Sequence, residues 1–487
     1  MNKLKKILLI TPPYHSGVVE SAGVWLNVGF VSIAGSLRAA GFEPIYYDAM
    51  SYWHGYDDIG KRIESDRPDV VATTAFTAEI VDALKVLKLA KDINTDIVTV
   101  IGNVHPTFCY EEILKEHAHY VDYIVRGEGE ETMVDLMQTL SSGGDVSRVK
   151  GIAYKESGTI AVTPSRVFIK DLDVLPMAWD LVDWPLYTYR TMEGSTLAIV
   201  SSSRGCSQQC SFCSQQLFWQ RHWRGRTAEH FVRELEYLRD TYGVSVVMIS
   251  DETPTLDRVR WEKILDLLIE RSVGTKILME TRVDDIIRDE DIMWKYQKAN
   301  IDHIYVGVEA TTQEELDVFK KAIRAEHSKK ALDLINEYGI VSETSFVLGM
   351  PDDTKEKIQN TVELAKYYNP DLAFFLAIAP WPYSDLYPVL KPYVEVFDYS
   401  KYNLVEAVVK PKAMTLDEVN KELGHASRDF YMHKIKTLET MTPDKQEFMI
   451  KVMNIIANSS YLAEHMQGTI PEEIKKMLDR LTVKSSA

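Results

Sequence analysis

Cysteine is scarce, with four residues in 487. That excludes a disulfide-framed secreted scaffold, which needs cysteine at far higher density. Long apolar runs are missing as well; none approaches the roughly 18 residues of a membrane-spanning helix. There is no block of lysine and arginine, and the net charge is −17. Nucleic acid is thereby disfavoured as the main partner, because phosphate binding needs clustered cations. The acidity reads as a solubility feature. No low-complexity tract occurs, and no internal repeat beyond an alternation of strand and helix. The start, MNKLKKILLITPPYHSG, sets basic residues before a short apolar run. No small-residue cleavage site follows, so KKILLITPP reads as a first buried strand rather than a signal peptide. At 45% apolar and 26% charged residues, the chain is an ordinary globular one, long enough for about three domains.

The little cysteine present is concentrated. Cys206, Cys210 and Cys213 stand in RGCSQQCSFCSQQ with spacing C-x3-C-x2-C. Three thiols in eight residues point to a metal and a reduced compartment, hence the cytoplasm. Three thiolates can hold three corners of a [4Fe–4S] cube and leave one iron open to another ligand. A zinc site completed by His222 is the alternative, although structural zinc more often recruits paired C-x2-C knuckles.

The pattern along the chain is α/β. Residues 1–145 alternate strands (KKILLITPP, EPIYYDAM, DVVATTAF, DIVTVIGN, YVDYIVRGEG) with helices. Continuous β-branched runs indicate strands buried on both faces of a parallel, doubly wound, Rossmann-like sheet, whose ligands lie beyond the strands' carboxyl ends. Residues 146–195 read as a linker with a small β-hairpin, GIAYKESGTIAVTP. Over 196–384 six more strand–helix units follow, from STLAIVSSS to DLAFFLAIAP. They predict a partial (β/α)6 barrel with functional loops after the strands, a six-stranded doubly wound sheet being the other solution. Residues 385–487 read as mainly helical.

The cysteine spacing after the first strand of a β/α repeat, with Phe212 just before the last cysteine, resembles the radical S-adenosylmethionine (SAM) superfamily. That resemblance implies a [4Fe–4S] cluster whose open iron binds SAM, and a 5′-deoxyadenosyl radical formed by reductive cleavage. It also implies SAM-binding roles at later strand ends: Asp251, Glu252 and Thr253 in SDETPT, Arg282 in ETRVD, Glu309 in VGVEA, Gly349 in LGMP and Ala379 in IAP. As isolated residues, Arg282 and Glu309 would read as surface ion-pair groups. A doubly wound domain ahead of such a barrel resembles the cobalamin-binding arrangement. Its implied contacts are Tyr14, His15, Thr73, Thr74, Gly102, Asn103, His105, Gly127, Glu128 and Gly129. No D-x-H-x-x-G occurs, so the implied cobalamin lacks the usual lower-face histidine. A receiver-like or flavin-binding domain is the structural alternative.

PPYHSGVVESAGVW (12–25), DIVTVIGNVHPTF (96–108), CSFCSQQLFW (210–219), PWPYSDLYPVL (380–390) and VEVFDYSKYN (394–403) make the resemblance narrower. They are similar to the anaerobic magnesium-protoporphyrin IX monomethyl ester cyclase family, over roughly residues 1–435. This implies oxygen-independent closure of the isocyclic ring of bacteriochlorophyll. Hydrogen is abstracted from the propionate-ester side chain, cobalamin takes an electron, and water supplies the new oxygen. The implied partners are a magnesium porphyrin and an electron donor such as flavodoxin or ferredoxin. Trp219, Arg221, Trp223, Arg224, Trp381 and Tyr383 are the candidate substrate contacts, since aromatic faces suit a macrocycle and guanidinium suits a carboxylate. Core or lid packing is the competing reading for the aromatics. Two departures stand out: Asn103 replaces the second glycine of a glycine pair, and Gln216 and Leu217 replace an aromatic–basic pair. A cobalamin-dependent radical SAM methyltransferase would share every cofactor motif, and a metal-sensing protein without turnover would share the cysteines.

Overall fold

The computed structural model describes residues 4–15 and 23–458. Part of the 12–25 stretch and the end of the expected C-terminal region lie outside the described residues. The first sheet has seven strands in the order β2-β1-β3-β4-β5-β6-β7. They are β1 (Lys6–Thr11), β2 (Glu43–Asp48), β3 (Val70–Thr74), β4 (Val98–Gly102), β5 (Tyr123–Val125), β6 (Ile152–Glu156) and β7 (Thr159–Val162). The first five pair in parallel. In β1, Leu8 and Ile10 enter one core and Ile7 and Leu9 another, so helices cover both faces and the unbroken apolar run is explained. The order reverses at β1 and β3, which opens a crevice at their carboxyl ends. The hairpin expected in the linker is β6 and β7. It does not stand apart but pairs antiparallel with β5 and extends the first sheet.

The second sheet contains β8 (Leu197–Val200), β11 (Val246–Ile249), β12 (Lys276–Arg282), β13 (Ile301–Gly307), β14 (Val341–Leu348) and β15 (Leu372–Ala377). Between β8 and β11 lie two short strands, β9 (Ser203–Arg204) and β10 (Arg224–Gly225), which pair only with each other. The six long strands are parallel and follow one another in chain order without reversal. Right-handed crossovers of one progression put every helix on one face, so the other face curls inward as a partial barrel. A doubly wound sheet would need a switch point, and this strand order has none.

Two C-terminal helices complete the described barrel. Leu416–Thr437 lies along β15, where Phe430 is fully buried with its ring centroid 6.0 Å from that of Phe375. Pro443–Asn458 meets the start of β13 through Phe448, 5.8 Å from the His303 ring, and Lys445 Nζ donates to Asp371 Oδ2 at 2.6 Å just before β15. It therefore packs at the amino ends of the strands, opposite the cysteine loop.

Candidate cluster and cofactor site

The cysteine loop leaves β8 and is pinched at its neck by the β9–β10 pair, with Arg204 opposite Arg224. Gly205 makes the first bend at φ +94°, and its N–H donates to Glu252 Oε2 at 2.9 Å. Farther on, Ser211 N donates to Phe319 O at 2.8 Å, and Ser211 O accepts from Leu386 N at 2.8 Å. The loop is thus tied to the rim beyond β13 and to the segment after β15. Cys210 is buried, and Cys206 and Cys213 are half-buried. Burial pushes the Cys213 thiol up to about 12, against partial relief from the Gln215 and Gln216 amides. Burial also raises Cys210, opposed by the charges of Lys321 and Arg282. Cys206 lies close enough to raise Cys210, and both lie close enough to raise Cys213. Yet among the described residues no three His, Cys, Asp or Glu side chains close on a single metal ion. His222 is exposed, with Nδ1 2.8 Å from Gln220 O. Three thiols gathered on one loop suit an iron–sulfur cluster by their softness, and the exposed His222 does not join them.

SDETPT turns its side chains back onto this loop. Asp251, 1% exposed, accepts from Ser202 N at 2.7 Å and from Ser203 Oγ at 2.7 Å. Glu252 takes the Gly205 amide and, at 2.5 Å, the Trp219 indole N–H. Thr253 Oγ1 lies 3.6 Å from Cys206 Sγ. These side chains hold the loop's shape. Arg282 ends β12, buried, with Nε 2.9 Å from Asp284 Oδ1 and the Cys210 and Cys206 sulfurs near its charge. Glu309 is buried at φ +67°, bridged to Lys321 Nζ at 2.9 Å and to Ser345 Oγ at 3.1 Å. A non-glycine residue in that left-handed conformation marks a site whose surroundings over-determine it. Gly349 turns at φ +85° after β14, Ala379 is buried after β15, and Phe212 lies edge-on to Phe319 at 5.2 Å. Cys210, Arg282, Glu309 and Lys321 therefore meet, a donor set suited to a zwitterionic ligand on an open iron.

Sequence reading missed a polar belt inside the barrel. Glu280, Tyr305 and Glu343 are register neighbours on β12, β13 and β14, each half-buried between buried residues. Alternation puts all three on the inner face. The signal was available: Glu280 is a lone carboxylate within the strand run KILMETR. Burial, and then the charges of Glu252, Asp251, Glu309 and Glu343, push Glu280 up to about 8. The folded chain therefore keeps a proton that the unfolded chain releases above its ordinary 4.5, and stability falls as pH rises from about 4.5 to 8. Glu280→Gln should match the parent at pH 5 and exceed it above pH 8 by on the order of 1–2 kcal/mol. Unfolding curves across pH read this out, and parallel profiles for the two proteins would refute it.

On the first domain, Asn103 follows β4 at φ 81°, ψ −165°, a region open essentially to glycine. Its Oδ1 accepts from Val104 N at 2.8 Å and its Nδ2 donates to Thr74 Oγ1 at 2.9 Å. These bonds explain how asparagine occupies the glycine position of the family pattern. Asn103→Ala keeps the strain and loses the bonds, for a cost of roughly 2–4 kcal/mol. Asn103→Gly should stay within about 1 kcal/mol of the parent. Equal denaturation midpoints for the two variants would contradict this account.

Thr73 Oγ1 bonds Ile10 O at 2.9 Å inside the sheet. Gly102 packs on Val125, Gly127 turns at φ +78°, and a side chain at Gly129 would meet Ile33 at 2.7 Å. His105 is 1% exposed, pushed down to about 4 by burial, and hydrogen-bonded through Nδ1 to Thr77 Oγ1 at 3.2 Å. Enclosed and bonded to Thr77, His105 is a structural residue of this turn. Tyr14 and His15 line a cavity of about 160 Å³ with Trp25, Trp53 and Arg190. Glu128 is ion-paired to Arg204 at 2.9 Å and Arg224 at 3.0 Å.

The substrate candidates divide. Trp219 and Trp223 hold SDETPT through their indole N–H groups, Trp223 to Thr253 O at 3.1 Å. Arg224 is engaged with Glu128, and Arg221 is exposed with Nε 3.1 Å from Gln216 Oε1. Each of these four side chains has a polar partner within the chain. Trp381 is half-buried at the edge of the barrel core. Tyr383 spans the two domains: its hydroxyl is 2.7 Å from Thr77 Oγ1, its ring stacks on Phe108 at 4.8 Å, and it feels the charge of Cys213.

Residues 14–137 match the family described as B12 binding domain, and residues 200–365 match the Radical SAM superfamily. An anaerobic magnesium-protoporphyrin IX monomethyl ester cyclase from Rubrivivax gelatinosus is 38% identical, over 91% of this chain and 80% of its own. An uncharacterized methyltransferase from Pyrococcus horikoshii is 30% identical, over 88% of this chain and 93% of its own. Among solved structures, the radical SAM methyltransferase TsrM from Kitasatospora setae, with cobalamin and a [4Fe–4S] cluster bound, superposes with TM-score 0.69 at 15% identity, covering 89% of each chain.

Proposed function

The chain belongs to the cobalamin-dependent radical SAM enzymes, in the family that includes the anaerobic magnesium-protoporphyrin IX monomethyl ester cyclases, and from this premise we propose that it forms the isocyclic ring of a magnesium porphyrin without oxygen. Its cofactors are a [4Fe–4S] cluster, SAM and cobalamin. When bound, they supply a 5′-deoxyadenosyl radical and a one-electron acceptor.

The protein's own part is placement and exclusion of water. Cys206, Cys210 and Cys213 would hold the cluster. Arg282 would meet the SAM carboxylate, and Glu309, steadied by Lys321 and Ser345, the ribose or amino group. One observation carries the cyclase reading beyond the shared cofactors. The two family-like stretches after β15, which SAM binding does not demand, fold back onto the crevice of the cobalamin domain. Tyr383 bonds Thr77, Tyr399 lies 4.9 Å from the His105 ring, and Ser400 O accepts from Tyr14 at 3.2 Å. They give that crevice an aromatic wall on the side of the cysteine loop, where a flat macrocycle would reach both cofactors. A low-potential donor of the flavodoxin or ferredoxin type would provide the electron.

The second reading, methyl transfer, is favoured by the archaeal relative named as a methyltransferase and covered over nearly its full length. Anaerobic turnover with magnesium-protoporphyrin monomethyl ester in 18O-water separates the two. A ring-closed product with 18O in its ketone supports the cyclase. A product carrying the SAM methyl supports the transferase, and unchanged porphyrin alongside abundant 5′-deoxyadenosine rejects this substrate.

A further inference from the structure

The neck of the cysteine loop is held by the other domain. On the β9–β10 pair, Arg204 and Arg224 face each other directly. Two like charges across a two-residue ribbon repel and would open it. The compensating carboxylates come from the turn after β5, at the amino end of the helix Glu130–Ser142. Arg204 donates to Glu128 Oε1 at 2.9 Å and, from its other terminal nitrogen, to Glu130 Oε1 at 2.6 Å. Arg224 Nη1 lies 3.0 Å from both oxygens of Glu128.

The surroundings fix these carboxylates further. Glu128 Oε2 accepts from Ile169 N at 2.8 Å, and Glu130 Oε1 accepts from Ser32 Oγ at 2.7 Å. The Glu128 and Glu130 side chains are 4% and 5% exposed, and that of Arg204 is 16% exposed. In so dry a setting a missing partner leaves an uncompensated charge. Arg204 is two residues before Cys206, and the helix beginning at Glu130 belongs to the sheet that forms the cobalamin crevice.

We propose that Arg204, Arg224, Glu128 and Glu130 are positioning residues that make closure of the cluster loop depend on docking of the cobalamin domain, and so set the distance between cluster and cobalt. Undocked, the neck carries two facing arginines and no counter-charge; docked, it closes. The inference rests on the family's two cofactors, not on the cyclase reading.

The test uses the reconstituted full chain with SAM, reductant and no porphyrin, so that it stands if the substrate assignment fails. Glu130→Gln keeps the shape and removes the charge; Arg204→Lys keeps the charge and removes the fork. Pulsed EPR measures the separation between the reduced cluster and cob(II)alamin, while iron and cobalamin contents check loading. Loaded variants with a broadened distance distribution and a ratio of 5′-deoxyadenosine formed per loaded cluster changed roughly tenfold in either direction support the proposal. Loaded variants with the parental distance and ratio overturn it. So does a joint loss of iron, cobalamin and thermal stability in both variants, which would make the cluster of charges a folding element alone.

Discussion

Cys213→Ser should leave the chain without a stable [4Fe–4S] cluster and lower 5′-deoxyadenosine formation by roughly 10³ or more, the scale of losing an obligatory catalytic group. Serine preserves size and adds no clash, so the effect isolates the sulfur. A hydroxyl is a hard, weakly acidic ligand, and iron–sulfur clusters select soft thiolates. The loop holds no spare cysteine to replace it: Cys109, the fourth, follows the short helix Val104–Phe108 of the first domain. Loading requires each thiol to release its proton, and Cys213 resists that until metal replaces it. Apo-protein assembly should therefore speed up with rising pH, whereas an assembled cluster should not respond in that way. Anaerobic reconstitution, iron and sulfide analysis and chromatographic detection of 5′-deoxyadenosine test this. A parental iron content with undiminished SAM cleavage would remove the cluster assignment.

Gly205→Ala should be nearly as damaging, though it changes no ligand. Gly205 sits at φ +94°, and a Cβ there would lie 1.9 Å from the carbonyl oxygen of His222. That oxygen is backbone, close to β10, and no side-chain rotation relieves the contact. Either β9 and β10 part or the loop reshapes, and both move Cys206. The conformational cost adds to the steric one, so a loss of at least ~3 kcal/mol in loop closure is expected. Gly194 provides the comparison, since it also has positive φ (+72°) but a Cβ added there would meet no atom within 4 Å. Gly194→Ala should cost only about 1 kcal/mol and keep the cluster. Iron per chain and the charge-transfer absorbance of the cluster measure both variants, and equal iron content in the two would refute the argument.

Several features were legible without coordinates because they are local. β1 reads as a strand buried on both faces since Ile7, Leu8, Leu9 and Ile10 leave no polar face. The cysteine loop and Arg282 fall on one rim because a parallel β/α repeat brings every strand's carboxyl end to the same side. Asn103 was legible as a departure, and its φ of 81° supplies the reason a glycine belongs there. Glu280 was equally visible in KILMETR but has meaning only once Tyr305 and Glu343 stand beside it.

The sequence alone determined the two α/β units, the succession of their long strands along the chain and the place of the three cysteines, because periodicity and spacing act within a few residues. Tertiary structure alone decided that the second sheet runs without reversal and so curls. It also decided that the hairpin extends the first sheet, and which partners within the chain Trp219, Trp223, Arg224 and Glu128 find. Arg224 and Glu128 are 96 residues apart in the chain. An aromatic ring or a guanidinium carries the same chemistry toward a porphyrin as toward a buried carboxylate, and only the docking of one domain against the other selects the partner.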